Sequence, residues 1–384
     1  MSILPSQRHL FDIPDDVAYL NLAYQGPLLN ASVSAIADGA QCKAQPWTTA
    51  PKDFFSYPEK LRELLGRVCG VHADRFAIVP SASYGLATAA KVLGPKLEKG
   101  DQILMVAETF PSTYLTWKRV ADETGAEIVM VDAPGDDDWT SAILNAMTPA
   151  TRLLSLPQCH WANGAVINVE DVADAAHKQG AYLVFDLTQT LTAMPFDFAR
   201  VKPDFVATAG YKWMLFPYGL GSLYVDPKWH DAAPLEETWM NREEAHVFEK
   251  LADYSHVYQP GARRFDLGEK SMPTLVYGGI SALEQILDWG VENITETLSS
   301  YTMRIANVLE EVGLVPVTER FRSTNILGAR SKTRLPEDLV PNLTAQNIFI
   351  SRRGNSLRFS PYLHNSEEDF VRLEAGLKEA LSRS

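Results

Sequence analysis

Residues 181–225 read AYLVFDLTQTLTAMPFDFARVKPDFVATAGYKWMLFPYGLGSLYV. The apolar run 181–185 ends on Asp186, and a second apolar run, 205–209, leads into Gly210-Tyr211-Lys212. Both runs have the length and the β-branched or aromatic content of buried strands. In an open α/β sheet, ligands bind beyond the carboxyl ends of the strands. An acid just past one strand and a lysine just past another therefore face one crevice. The two residues lie 26 positions apart, room for one crossover between strands.

A lysine held among Tyr211, Trp213, Met214 and Phe216 loses hydration, which favours the neutral amine. A neutral amine condenses with an aldehyde to a Schiff base. A lysine-bound aldehyde with a carboxylate opposite a ring nitrogen is the layout used with pyridoxal 5'-phosphate (PLP). The carboxylate keeps the pyridine nitrogen protonated, so the ring accepts electrons from a substrate carbanion. The plainer reading is a snorkelling lysine and a turn-capping aspartate. The surrounding order weighs against it: Asp186-Leu187-Thr188-Gln189, then G-Y-K-W, then P-Y-G-L-G-S-L-Y-V.

These motifs resemble the class V aminotransferase family of fold-type I PLP enzymes, which holds cysteine desulfurases, kynureninases and isopenicillin N epimerase-like proteins. The resemblance covers nearly the whole chain. It implies an α/β fold, with a large domain built on a mostly parallel sheet and a smaller α+β domain. By this resemblance Lys212 falls on the Schiff-base lysine and Asp186 on the acid that pairs with the pyridinium nitrogen. Gln189 falls on the residue that contacts the cofactor's phenolic oxygen.

Composition narrows the alternatives. The chain has 384 residues, 46% hydrophobic and 22% charged, with a net charge of −13. That is ordinary globular composition, and the acidic balance argues against nucleic-acid or anionic-membrane binding. Three cysteines, Cys42, Cys69 and Cys159, form no C-x-x-C and fit a reducing compartment. No signal peptide and no membrane-spanning run is apparent, so the expected location is cytoplasmic. The scattered histidines imply no metal site. Gly219-Leu220-Gly221 lacks a third glycine before a helix, which makes it a weak dinucleotide fingerprint, and no Walker loop is present.

Along the chain, residues 1–18 read as an arm packing with the small domain. Asn30 is a candidate cap for a helix over 31–44, and in the resembling family Asn21 and Tyr24 pass near the substrate. The strand 76–79 runs into Ser81-Ala82-Ser83-Tyr84-Gly85-Leu86 and a helical pattern to Leu97. Free N–H groups and the helix dipole make such a turn a phosphate cradle. The resemblance puts the cofactor phosphate there, on Ser83 and Tyr84, and puts Phe110 on the ring that stacks over the cofactor. Asp136-Asp137-Asp138 reads as a solvated loop or helix start. At Cys159-His160-Trp161-Ala162-Asn163-Gly164, Trp161 stands where desulfurases carry asparagine, as it does in epimerase-like members; His160 reads as a structural turn residue. Tyr211 matches the kynureninase-like tyrosine that holds the phosphate.

The segment Arg264-Phe265-Asp266-Leu267-Gly268, with Ser271 after it, resembles the family stretch that reaches the neighbouring subunit's cofactor phosphate. A homodimer with its active site at the interface is thereby implied. Helices are expected over 273–289 and 292–312, strands over 324–327, 348–351 and 357–360, and a last helix from 366. The boundary falls near 260, giving a large domain 19–260 and a small domain 261–384. Arg358 matches the arginine that grips the substrate α-carboxylate, a task suited to a guanidinium. Desulfurases carry a nucleophilic cysteine in the loop before it, and none of the three cysteines is there.

The function that follows is PLP-dependent chemistry at the α-carbon of an amino acid, foremost an aminotransferase with a keto-acid acceptor. A lyase of the C–S lyase, desulfurase or kynureninase kind and an amino-acid epimerase stand as alternatives. A non-catalytic binding protein on the same fold is the reading from another class. Trp161, Trp117 and Tyr24 suit an apolar or aromatic substrate, and packing explains them as well.

Overall fold

The computed structural model describes residues 2–382. Its main sheet runs in the spatial order Phe76–Val79, Gly221–Val225, Phe205–Ala209, Tyr182–Asp186, Thr151–Pro157, Gln102–Val106, Glu127–Val131. All strands but Gly221–Val225 point the same way. Along each strand successive side chains face opposite sides. Leu104, Val106, Leu183 and Phe185 enter one core, while Ile103, Met105 and Val184 enter the other. A sheet apolar on both faces needs helices on both, as parallel sheets do. Helices Ala82–Leu93 and Pro111–Thr124 cover one side with Leu86, Val92, Trp117 and Val120. Helices Asp53–Cys69, Val169–Lys178 and Pro273–Trp289 cover the other.

A second, antiparallel sheet has the order Ser351–Arg353, Ser356–Phe359, Leu327–Arg330, Val315–Pro316. The helices Val291–Glu311 and Glu367–Ser382 back it. The N-terminal segment ties to this region. Ala18–Tyr19 pairs with Ile348–Phe349, and Arg8 meets Asp369 at 2.9 Å. Through Leu298, the Val291–Glu311 helix belongs to the core of the large sheet. From Ile305 it belongs to that of the small one. We propose the division between the two units within this helix rather than near residue 260.

Some local expectations change. The helix after the serine turn stops at Leu93, and a 3-10 turn with Pro95 follows, because proline supplies no N–H to continue the ladder. Asn30 is no cap: Leu29 holds that position without a side-chain bond. The strand expected over 324–327 begins at Leu327, since Asn325 turns inward and donates to the Gln189 carbonyl at 2.6 Å. Asp138 caps the Trp139–Ala146 helix, but Asp137 is buried, paired with Arg330 and Thr318.

One buried charge cluster fixes the segment before Pro273. The fully buried carboxylate of Asp266 meets Arg62 at 2.7 Å, Lys270 at 2.9 Å and the Ile78 N–H at 2.7 Å. Removing one member of such a cluster strands the others without a partner. The change D266A is expected to cost about 3–5 kcal/mol, read from urea denaturation. A loss below about 1 kcal/mol would mean that water reaches the site and screens it.

Candidate active site

The carboxyl ends of neighbouring parallel strands supply the walls of one cavity of about 200 Å³. Val79 leads to Ser81 and Ser83, Val106 to Thr109 and Phe110, and Pro157 to Cys159, His160 and Trp161. Asp186 ends its own strand and is followed by Thr188 and Gln189, while Ala209 leads to Tyr211 and Lys212. Five of the six strands that share one direction bring these turns to one edge.

The lysine loop is held from several sides. The Gly26 N–H donates to the Tyr211 carbonyl at 2.9 Å, and the Thr192 hydroxyl to the Trp213 carbonyl at 2.7 Å. The Trp213 indole donates to Gln189 Oε1 at 3.0 Å. Gly26 lies so close that a Cβ there would sit 2.4 Å from the Lys212 carbonyl oxygen. Lys212 is 5% exposed. Among the described residues its Nζ has no ion-pair partner; the rings of Tyr211 and Phe110 lie 5.5 and 5.8 Å away. Burial, then the charges of Arg358 and Arg353, bring its pKa down to about 8, against the pull of Asp186.

Asp186 accepts from the Thr188 N–H at 2.9 Å. Burial lifts its carboxyl above the usual range, and the Thr188 bonds and Lys212 oppose this. A protonated ring nitrogen is the kind of partner that holds such a carboxylate ionised. Gln189 donates one N–H to the Ala23 carbonyl at 3.2 Å, which leaves its second N–H for the cavity. Phe110 is 41% exposed and meets Trp161 edge-on at 5.7 Å. At the start of the Ala82–Leu93 helix, the Ser81 hydroxyl caps the Tyr84 N–H and lies 2.9 Å from that of Ser83. These hydroxyls and the first free N–H groups of the helix suit a phosphate. Aldehyde-reactive amine, ring-nitrogen acid, flat aromatic wall and phosphate cradle are all present, so the residues fit PLP.

Arg358 is 1% exposed and donates to the Trp161 carbonyl at 2.9 Å. Its Nε is buried without a partner, and burial followed by the charge of Arg353 pulls its pKa below the ordinary arginine value. Asn21 accepts from the Ser351 hydroxyl at 2.6 Å, beneath this arginine. Tyr24 is exposed, and neither it nor Asn21 nor Arg358 is among the residues that line the cavity.

Other expected residues lie elsewhere. The Tyr84 side chain turns away from the cavity toward Glu236, because a helix start sends adjacent side chains in different directions. Trp117 is buried behind the sheet and touches no part of the site. Ser271 lies outside the cavity formed by its own chain. The sequence reading missed Thr109, Ser112, Thr113, Thr188 and Tyr218 as lining residues. It also missed Cys159, whose buried thiol has a pKa raised to about 12.

The class V aminotransferase family model matches residues 47–373. The chain belongs to that family. It is a PLP-dependent enzyme of fold type I. It is 25% identical over 358 residues to a probable cysteine desulfurase of Aeropyrum pernix, covering 84% of each chain. It is 26% identical to isopenicillin N epimerase of Amycolatopsis lactamdurans over 393 residues, covering 97% of each. A solved structure of the cystine C–S lyase C-DES with cysteine persulfide superposes with a TM-score of 0.86 at 18% identity, covering 95% of this chain and 98% of that one.

The depressed pKa of Lys212 makes a stability prediction for the cofactor-free protein. Between pH 8 and 10.5 the unfolded lysine is protonated while the folded one is neutral, so wild-type stability rises with pH there. Below pH 8 both states are charged and the burial penalty is fully present. K212M should therefore be more stable than wild type at pH 7 by on the order of 3 kcal/mol. That advantage should shrink as pH rises through the window. Thermal melts at pH 7 and pH 10 check this; a constant gap would assign the effect to packing alone.

Proposed function

We propose that this enzyme binds an α-amino acid through Arg358, removes its α-proton with Lys212, and in the foremost reading transfers its amino group to a keto acid. When bound, PLP supplies an aldehyde that captures the amine and a ring that accepts the electrons of the broken α-bond. The supporting observation is Lys212 itself: a buried amine with no counter-ion among the described residues, lining one cavity with the half-buried carboxylate of Asp186.

In this reading Arg358 fixes the α-carboxylate, and so fixes which α-bond faces Lys212 Nζ. Lys212 Nζ takes the proton and returns it, a role suited to an amine whose pKa is drawn toward neutrality. Asp186 would hold the cofactor's ring nitrogen in its cationic form, and the second Gln189 N–H would hold the phenolic oxygen. Phe110 would cover the ring and exclude water. Ser83, the Tyr211 hydroxyl and the helix start would hold the phosphate.

Amino transfer needs only one proton carrier. His160 is stacked on Trp139 with its Nε2 beside the Ala107 carbonyl, and the Cys159 thiol is held protonated, so neither supplies a ready second one. The relatives' names, desulfurase, epimerase and C–S lyase, favour a second reading in which a bond beyond the α-carbon breaks or the α-centre inverts. Desulfuration through an enzyme cysteine is the least supported outcome, because no cysteine lies in the loop before Arg358.

Exchange of the α-proton in heavy water tests the shared step. Wild type should exchange it. K212A should lower exchange by about 10²–10⁴-fold, and D186N by about 10²–10³-fold. Undiminished exchange in K212A would assign the base elsewhere. Without an acceptor, one keto acid per site indicates transfer, whereas continuous keto-acid release indicates a lyase. R358Q should weaken amino-acid binding by roughly 2–5 kcal/mol, seen as a raised KM.

A further inference from the structure

The hairpin of strands Ser351–Arg353 and Ser356–Phe359 pairs Ser351 with Arg358 and Arg353 with Ser356. Side chains two residues apart share a face, so Arg353 is the diagonal neighbour of Arg358 on that face. Like charges so placed repel. The chain carries 48 acidic residues, and Arg304, Arg322, Arg330 and Arg334 each hold one. Among the described residues Arg353 and Arg358 hold none, and each has a buried Nε without a partner. Arg353 donates only to the carbonyl of Arg352, at 2.8 Å. Its guanidinium lies 5.5 Å from the Trp161 ring centre, on the wall whose carbonyl Arg358 holds.

From this juxtaposition we propose that Arg353 selects amino acids carrying a second anionic group, a carboxylate or similar oxyanion, on the side chain. The inference rests on Arg358 as the α-carboxylate anchor and replaces the apolar or aromatic substrate expected from sequence. One oxyanion meets Arg358 and the other meets Arg353, so the repulsion between the two guanidiniums becomes attraction to a doubly anionic ligand. Both charges also depress the Lys212 pKa, which an anionic ligand relieves. The phosphate cradle comes from a different strand end, at Ser81 and Ser83.

Calorimetric titration of the PLP-loaded protein with two unreactive five-carbon acids, glutarate and valerate, tests the assignment. Glutarate should bind roughly tenfold more tightly. R353Q should bring the two acids within about twofold of each other, R353K should keep part of the preference, and R358Q should weaken both. Equal wild-type affinities, binding of neither acid, or a preference intact in R353Q overturns the proposal. Loss of cofactor from R353Q with the acid preference unchanged gives Arg353 to the cofactor and overturns it too. Failure of the Lys212 reading would show separately, as wild-type protein that takes up no PLP.

Discussion

Parallel pairing of Tyr182–Asp186 with Phe205–Ala209 sets Asp186 opposite Ala207, three residues before the turn to Gly210. That register places a carboxylate and an amine on one edge of a sheet buried on both faces. Neither group is comfortable alone there: burial raises the acid's pKa and lowers the lysine's. The cost is sustained by the cores on either side of the sheet, and the chemistry of the site comes from it. A solvated lysine would remain a cation and a solvated aspartate an ordinary anion.

The second unit completes the site. Asn325 reaches the Gln189 carbonyl, and Arg358 reaches that of Trp161. The cavity is thus framed by strand ends of the large sheet and overlooked by a hairpin of the small one. In the proposed reading the hairpin selects the substrate and the strand ends hold the cofactor.

The architecture was largely legible because its signals are local. Short β-branched runs gave the strands at 76–79, 127–131 and 205–209, and helical spacing gave the Asp53–Cys69 helix to within its first turn. Asp186 closes one such run and Lys212 stands three positions beyond another, which is why the sequence singles them out. Direction was less so. Whether Tyr84 or Ser83 faces the cavity depends on how the helix start is rotated, which composition does not state. Asp137 looked solvated because its partners, Arg330 and Thr318, lie far along the chain. Arg353 escaped notice for the converse reason: its significance is the lack of an acidic partner, and only tertiary structure displays that.

The most direct test of the central claim is reduction of the PLP-loaded protein with borohydride, followed by peptide mass spectrometry. Lys212 and Lys270 are both buried, but Lys270 is paired with Asp266 and Lys212 with no acid among the described residues. The account predicts one pyridoxyl adduct, on the peptide containing Lys212. An adduct on Lys270 or another lysine, or none at all, would contradict it.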